Sequence, residues 1–268
     1  MASSLAELRA RPHTSVSALK TYLQCPRKYF FHYIERATPI WRPLALPFGS
    51  AWHEAIGVWL LDSTHDVPVP VEKLRTVLRD ELTRAFTADG PPVLLEDDDQ
   101  NEGAVIDAVI GMLDVFLGRV PLPERVLRVE EPFAIDVYDP DTGEVLDVSL
   151  VGAIDAVVVV EEGVTRLWEL KTAKRRWSRD QLDFEVQPTA YRIAAGELGY
   201  GKPDVTLLVT TKTRTPDVQI EQLVRHEPDE DEFVRVAFGV HRAIAAGVDY
   251  PKRDWGCRSC PFADRCGA

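Results

Sequence analysis

The stretch GAIDAVVVVEEGVTRLWELKTAK, residues 152–174, decides the fold. Its apolar runs at 156–160 and 164–168 flank a Glu-Glu-Gly turn, a pattern that predicts a β-hairpin. Asp155 enters the first run, and Glu169 and Lys171 follow the second. Since residues two apart on a strand point to the same face, Glu169 and Lys171 should stand side by side, near Asp155 on the neighbouring strand. Charges at the edge of a sheet core are costly unless they are paired or bind a metal, so this hairpin is a candidate functional site.

The three charged residues have a direct chemical use. Two carboxylates can hold Mg²⁺ or Mn²⁺, which prefer oxygen ligands. Such an ion assists phosphodiester hydrolysis by polarising a phosphoryl oxygen and helping to generate hydroxide. Lys171 can orient the attacking water or stabilise charge that develops on phosphorus. The alternative interpretation is a strand end at the surface with an exposed ion pair.

Composition limits the class of protein. The chain has 268 residues, of which 45% are hydrophobic and 28% charged. We find no apolar run long enough for a membrane span and no secretory leader, which predicts a cytoplasmic protein. The net charge of −12 argues against a protein that coats nucleic acid non-specifically. It does not exclude a nucleic-acid enzyme with a local basic groove.

The order of the predicted elements indicates an α/β fold. Helical patterns dominate as far as residue 120; the first covers 15–37 and should break at Pro26. Residues 89–100 read as a polar loop. From Arg125 onwards strands alternate with two further helices, and a hairpin is predicted at 139–143. We therefore predict a mixed central sheet flanked by helices, with an N-terminal helical region, an insertion or cap at about 65–120 and an irregular cysteine-containing tail.

Several weaker signals surround the hairpin. His53 follows Gly49 by four residues near the start of a predicted helix, although a single histidine is more often a packed or exposed residue than a ligand. Gln187 and Tyr191 lie four apart, on one face of a helix downstream of the lysine. The basic loop Lys174, Arg175 and Arg176 can contact nucleic acid, and Trp177 can stack on a base. The alternatives are a solvated loop and a core contact. Lys212 and Arg214, and more weakly Arg27 and Lys28, are further basic candidates.

Together these residues resemble the motifs of the PD-(D/E)xK nuclease superfamily. The order Gly49-x3-His53, Gly152-x2-Asp155, Glu169-x-Lys171, Gln187-x3-Tyr191 is similar to its RecB-like branch, as is the Cys-Pro pair in SVSALKTYLQCPRKYFFHY. The resemblance implies a restriction-endonuclease-like core at about 125–225 within a single nuclease domain, 1–268. It also implies that His53, Asp155, Glu169 and the carbonyl of Leu170 bind the metal. Lys171 would be catalytic, and Gln187 and Tyr191 would steady the site or bind the nucleic acid. Ile154-Asp155 stands where the superfamily's name has Pro-Asp.

Four cysteines form a second pattern. Cys257, Cys260 and Cys266 lie in the C-terminal tail, 251–268, and Cys25 precedes Cys257 by 232 positions. Four thiolates can bind Zn²⁺ or a [4Fe–4S] cluster. Zinc ribbons usually have two Cys-x2-Cys pairs, which this chain lacks, and free thiols or disulfides are a third alternative. One distant cysteine with a C-terminal group of three resembles the iron–sulfur RecB-like nucleases, and that resemblance implies a structural [4Fe–4S] cluster.

Three classes of function follow. The leading hypothesis is a Mg²⁺- or Mn²⁺-dependent deoxyribonuclease, an exonuclease on single-stranded DNA or free DNA ends. The resemblance places it in DNA repair, recombination or CRISPR adaptation, with a helicase or adaptation proteins as partners. The second is a nuclease-fold DNA-binding subunit with little activity of its own. The third is a zinc-stabilised interaction protein without catalysis.

Overall fold

The computed structural model describes residues 4–63, 69–95, 99 and 101–267. Helices α1–α10 are Leu5–Arg9, Val16–Gln24, Pro26–Tyr29, Ala45–Asp62, Val71–Thr87, Glu102–Arg119, Arg179–Asp183, Gln187–Glu197, Glu227–Ala245 and Ala263–Cys266. Strands β1–β8 are His13–Thr14, Arg42–Pro43, Val93–Leu94, Arg125–Tyr138, Val145–Val160, Val164–Ala173, Val205–Thr211 and Val218–Leu223. None of the described helices has the length and apolar character that crossing a membrane requires.

Strand β5 organises the sheet. In the described part of the chain, six strands form one mixed sheet in the order β1-β5-β6-β7-β8, with β4 also paired to β5. The predicted hairpin is present: β5 and β6 are antiparallel, and the turn between them includes Glu162 in the left-handed region at φ 63°. β6 and β7 are parallel, so α7 and α8 form the crossover between them. The mixed sheet predicted from the sequence is thus confirmed.

Two hydrophobic cores cover the two faces of this sheet. On one face, apolar side chains of α2, α8 and α9 pack against the strands. On the other face α4, α5 and α6 form the second core, to which α5 contributes three leucines four residues apart: Leu74, Leu78 and Leu82. Residues 65–68 of the predicted insertion lie outside the described residues. The treatment of 65–120 as an insertion stays a prediction, although its helices do cover one face of the sheet.

The first predicted helix breaks where proline requires it. Ser15 caps α2 by accepting a hydrogen bond from the Ala18 N–H at 3.1 Å, and α2 ends at Gln24. Cys25 is extended, with φ −162°, and Pro26 begins α3 in the first turn, where its missing N–H leaves no bond unmade. Cys25 therefore lies at a corner between two helices.

Two segments are more regular than predicted. The region predicted as a polar loop contains β3, which pairs with β2 in parallel. Arg42 stabilises this pairing by donating to the carbonyls of Pro91 and Ala85. Residues 96–98 and 100 of that loop lie outside the described residues. The cysteine tail contains a 3₁₀ turn at Trp255–Ser259 and the short helix α10.

The tail is anchored on the N-terminal helices. The Arg27 N–H donates to the carbonyl of Tyr250 at 3.1 Å, and the rings of Phe31 and Phe262 lie 5.7 Å apart. Phe262 is 1% exposed, so this contact is part of a core and not a surface association. The two ends of the described chain therefore pack together.

Candidate active site

The candidate site lies at a fork between strands. One edge of β5 pairs with β1 at residues 149–150 and with β6 at residues 156–160. Between these stretches β5 and β6 diverge, because β5 stays with β4 while β6 stays with β7. Asp155 on β5 and Glu169 on β6 stand just beyond the last paired residues. Their side chains therefore meet where the sheet opens.

Asp155 is fixed by hydrogen bonds from two sides. Its Oδ2 accepts from the Leu170 N–H at 2.7 Å, a group that would bond to another strand if the sheet continued. Its Oδ1 accepts from the Tyr191 hydroxyl at 3.0 Å. Burial would raise the pKa of Asp155, but His53, Lys171 and the Leu170 N–H outweigh burial and lower it. Asp155 is therefore a carboxylate held in one orientation.

Glu169 and Lys171 stand side by side on β6, as predicted from their spacing, and form an ion pair. Glu169 is 0% exposed, and among the described residues neither of its oxygens has a hydrogen-bond donor of ordinary geometry. Burial, together with Asp155, raises the pKa of Glu169 to about 7 against the opposing effect of Lys171. The pKa of Lys171 is also raised, since burial is outweighed by the charges of Glu169 and Asp155. A buried carboxylate with so few partners is a position suited to a cation.

Gln187 and Tyr191 connect the lysine to Asp155. Lys171 Nζ donates to Gln187 Oε1 at 3.1 Å, and Gln187 Nε2 donates to the Tyr191 hydroxyl at 2.9 Å. The Tyr191 hydroxyl in turn donates to Asp155. Tyr191 is 1% exposed, so its place differs from the predicted nucleic-acid contact. Of the two roles open to this pair, the geometry favours steadying the site, because their polar groups are already bonded within it.

His53 reaches the fork from helix α4, which covers the face of the sheet opposite to the one covered by α8 with Gln187 and Tyr191. Its Nε2 lies 3.1 Å from the carbonyl oxygen of Leu170. Its Nδ1 lies 3.5 Å from Asp155 Oδ1 and 3.7 Å from Glu130 Oε1. Burial alone would lower the pKa of His53, but the two carboxylates outweigh burial and raise it to about 10. The structure thus brings His53, Asp155, Glu169, Leu170 and Lys171 to one place.

Glu130 is the residue that the sequence analysis missed. His53, Glu130 and Asp155 each offer a ligand atom within 4.8 Å of the others. Nothing local in the sequence separates Glu130 from Glu131, which follows it in the same strand. Glu131 is buried and accepts from the Tyr200 hydroxyl at 3.3 Å, away from His53. Only the pairing of β4 with β5 places Glu130, and not its neighbour, opposite Asp155.

Gly152, three residues before Asp155, is required by packing. A Cβ at this position would lie 2.6 Å from the Cζ atom of Phe133 on β4. A Cβ on Gly49, the other glycine of the motif series, would meet no atom of the described residues within 4 Å apart from the backbone of its own helical turns, so packing does not demand glycine there. Packing therefore requires glycine at position 152 and not at position 49.

The predicted nucleic-acid loop is exposed, but its members differ. The side chains of Lys174, Arg175 and Arg176 lie at the surface. Arg176 pairs with Asp217 at 2.7 Å. The Trp177 side chain packs against the first core, so it is a core contact and not a free stacking platform. Its backbone N–H donates to Gln219 Oε1 at 2.7 Å.

Two of the other basic candidates have protein partners. Lys212 pairs with Asp99 at 2.9 Å and lies over the ring of Phe48. Arg27 pairs with Asp249 and bonds its carbonyl at 2.9 Å. Arg214 is exposed. Contacts of this kind depend on the folded chain and cannot be read from local sequence.

The four cysteines converge at a second place. All are free thiols, and all line one small cavity together with Phe31 and Lys252. Burial raises the pKa of the Cys260 thiol. Among the described residues, no three cysteine sulfurs lie mutually within 4.8 Å. The four thiols therefore line one shared cavity, although Cys25 is distant in sequence from the other three.

Comparison with known proteins identifies one family. The family model of the PD-(D/E)XK nuclease superfamily matches residues 13–267. No curated protein matches the chain. A solved structure from Eubacterium rectale, named "Putative exonuclease", is 15% identical with a TM-score of 0.56, covering 97% of this chain and 89% of its own. The structure of SSO0001 is also 15% identical, with a TM-score of 0.46, 98% of this chain covered and 91% of its own. At this identity the first structure supports the fold alone.

Proposed function

The chain belongs to the PD-(D/E)XK nuclease superfamily, and from that premise we propose that it is a metal-dependent deoxyribonuclease acting on single-stranded DNA or free DNA ends. The observation that carries the proposal is the meeting of Asp155, Glu169 and Lys171 at the strand fork. Two buried carboxylates and a partly buried ammonium occupy a place where ordinary packing would put apolar side chains. Such an arrangement costs stability unless the charges are paired or bind a metal, and this cost points to a function.

The donor set fits a divalent cation of the Mg²⁺ or Mn²⁺ type. Carboxylate and carbonyl oxygens suit these ions, and an imidazole is acceptable to Mn²⁺. Glu169 offers carboxylate oxygens without hydrogen-bond partners of ordinary geometry. Neighbouring ligands of an octahedral ion with bonds of about 2.1 Å lie about 3 Å apart. His53 Nε2 and the Leu170 carbonyl oxygen have that separation, at 3.1 Å. We therefore assign His53, Asp155, Glu169 and the Leu170 carbonyl as the residues that hold the ion.

The chemistry divides between the ion and the chain. When bound, the cation supplies Lewis-acid polarisation of the phosphate and a lowered pKa for bound water. Lys171 is fixed by Glu169 and Gln187, so its ammonium can donate to the attacking water or to a phosphate oxygen as charge develops. Tyr191 and the Leu170 N–H hold Asp155, which limits its rotation. The exposed basic residues 174–176 stand just past the lysine on the chain and are proposed to bind the DNA backbone.

Activity is tested with end-labelled single-stranded DNA in Mn²⁺ and in Mg²⁺. Cleavage should require the ion and stop with EDTA. Lys171→Ala should lose cleavage while keeping its fold and its metal binding. Lys73→Ala is the matched control, because Lys73 is an exposed lysine of α5 that pairs with Asp62 at the end of α4. Full activity in Lys171→Ala would rule out the proposed site, and binding without cleavage by the wild type would favour a DNA-binding subunit.

We also propose that the four cysteines hold a structural [4Fe–4S] cluster, as in the iron–sulfur RecB-like nucleases. The support is their convergence on one cavity from two distant parts of the chain. A tetrahedral zinc site with Zn–S bonds of about 2.3 Å places its sulfurs about 3.8 Å apart. Among the described residues no three of these sulfurs lie within 4.8 Å of one another, so their arrangement is not that of a preformed zinc site. The resemblance further supports a role in DNA repair, recombination or CRISPR adaptation, with a helicase or adaptation proteins as partners.

Metal analysis of the purified protein tests the cluster. We expect about four iron atoms per chain with cysteine-ligated iron–sulfur absorbance. Cys25→Ala should lose the iron and melt at a lower temperature. Ser259→Ala, in the same tail, removes only a hydroxyl whose bond to the Gly256 carbonyl is 3.4 Å long, and it should keep both. Zinc in place of iron, or full iron in Cys25→Ala, would contradict the assignment.

A further inference from the structure

Glu130 has an unusual backbone for a residue inside a strand. Its φ is 52°, in the left-handed region that residues other than glycine rarely adopt. Its neighbours Val129 and Glu131 still pair in register, with Ala156 and Ile154. The conformation therefore bends one residue without shifting the ladder, and that residue faces Asp155.

Both strands change face at this point. Ile154 packs in the first core and Ala156 in the second, although residues two apart on a regular strand share a face. On β4, Val129 packs with the second core and Phe133 with the first, although residues four apart on a regular strand should also share a face. Glu130 and Asp155 lie where these changes occur. The result is that both carboxylates reach the same histidine from neighbouring strands.

The two ring nitrogens of His53 face different groups. Nε2 faces the Leu170 carbonyl at 3.1 Å, and Nδ1 faces Asp155 at 3.5 Å and Glu130 at 3.7 Å. A neutral imidazole gives a lone pair to a metal from one nitrogen and carries its proton on the other. Metal-binding histidines usually donate that other N–H to a carboxylate, which fixes the tautomer and the ring orientation.

Of the two carboxylates beside Nδ1, Asp155 already has other tasks. Its oxygens accept from Tyr191 and from the Leu170 N–H, and the proposed function gives it to the ion. The side chain of Glu130 is 54% exposed, so it can adjust toward the ring without strain on the core.

We propose that Glu130 is a positioning residue that accepts the Nδ1–H of His53 and so directs Nε2 to the divalent cation beside the Leu170 carbonyl. This inference rests on the proposed function, because it needs a cation at that place. It makes Glu130 act through His53 and not as a ligand itself. The effect should accordingly vanish when the histidine is absent.

The test is Mn²⁺ binding measured by calorimetry, independent of cleavage. Loss of a carboxylate behind a metal-binding histidine typically lowers affinity 10–100-fold, and Glu130→Ala should fall in that range. Glu130→Gln retains an acceptor oxygen and should recover part of the loss. Glu131→Ala is the matched control from the next position; Glu131 contacts Tyr200 and Arg128 instead of the histidine, so Mn²⁺ affinity should stay within about twofold of the wild type.

A double-mutant cycle distinguishes positioning from direct binding. In a His53→Ala background, the further change Glu130→Ala should alter Mn²⁺ affinity by less than about twofold. Independent, multiplying losses would show that Glu130 binds the ion directly and would overturn the inference, as would wild-type affinity in Glu130→Ala. Failure of the proposed function looks different, since wild type and Asp155→Asn would then bind Mn²⁺ equally.

Discussion

Replacing Glu169 with glutamine should make the metal-free protein more stable at alkaline pH. Glutamine resembles the protonated carboxyl in shape and charge. In the folded protein, burial raises the pKa of Glu169 from 4.5 to about 7. A carboxyl whose pKa is raised on folding favours the folded state while it is protonated. That contribution is complete below pH 4.5 and is lost as the pH rises through about 7.

The magnitude follows from the two pKa values. Their difference, at about 1.4 kcal/mol for each pH unit, corresponds to about 3 kcal/mol. At pH 8 in EDTA, Glu169→Gln should therefore exceed the wild type in unfolding free energy by about 3 kcal/mol. The difference should shrink to about zero toward pH 4.5. The raised pKa of His53 also contributes stability that falls above pH 6.5. This contribution is present in both proteins and cancels in the difference between their unfolding free energies.

Urea denaturation between pH 5 and pH 8.5 provides the assay. Adding Mn²⁺ should reverse the order, because an ion at about one thousand times its dissociation constant stabilises the wild type by about 4.1 kcal/mol and the variant lacks a ligand. Glu230→Gln is the control, since Glu230 is equally a buried glutamate but pairs with Arg192 at 2.8 Å and Lys202 at 2.7 Å. That variant should be destabilised. If Glu169→Gln were also less stable than the wild type at pH 8 in EDTA, the reasoning about the fork would be refuted.

Four further substitutions test other parts of the structure. Gly152→Ala places a Cβ 2.6 Å from a phenyl carbon and should cost about 1–3 kcal/mol, measured as a lower melting temperature. Tyr191→Phe removes the donor to Asp155 and should cost about 1.5–3 kcal/mol in urea denaturation, since bonds to charged groups exceed neutral ones. Arg175→Ala should reduce the salt dependence of single-stranded DNA binding by about 0.7 in the logarithmic slope. Arg176→Ala should change it less, because this guanidinium already pairs with a carboxylate.

Two substitutions serve as controls for the stability measurements. Gly49 lies within helix α4, and the Cβ added in Gly49→Ala has free space. This variant should gain up to about 1 kcal/mol in unfolding free energy, opposite in sign to Gly152→Ala. Tyr22→Phe loses a bond to the neutral carbonyl of Val248, at 2.8 Å, and should cost only about 0.5–1.5 kcal/mol. Equal losses of unfolding free energy in Tyr22→Phe and Tyr191→Phe would show that the bond to the charged Asp155 is no stronger than a bond to a neutral carbonyl.

The parts of the site that follow from local pattern were predictable. The alternation on β6 puts Glu169 beside Lys171, and the hairpin turn puts them near Asp155, so sequence alone placed three charges together. Helical spacing likewise put Gln187 and Tyr191 on one face, where they do bond each other. In both cases one short segment determines the geometry.

What the sequence did not reveal depends on contacts between distant segments. Glu130 is set apart from Glu131 by a bent strand residue opposite Asp155, and no local rule predicts a left-handed glutamate there. The choice between stacking and the core for Trp177 depends on the tertiary packing of its side chain against the first core, which local sequence does not reveal. Lys212 is a candidate DNA contact in the sequence, whereas in the folded chain it forms an ion pair with Asp99. Competition among polar partners is a property of the tertiary structure.

The packing of the C-terminal tail on the first helices has a consequence for synthesis. Cys25 and Phe31 find their partners Cys257 and Phe262 only after more than 220 further residues have been translated. At about 5–20 residues per second, that interval lasts roughly 10–50 s. During this time the thiol and the aromatic side chains of the N-terminal helices lack the neighbours that cover them. The segment that contains Cys25 and Phe31 is therefore exposed to oxidation and to misassociation until residues 257–262 have emerged from the ribosome.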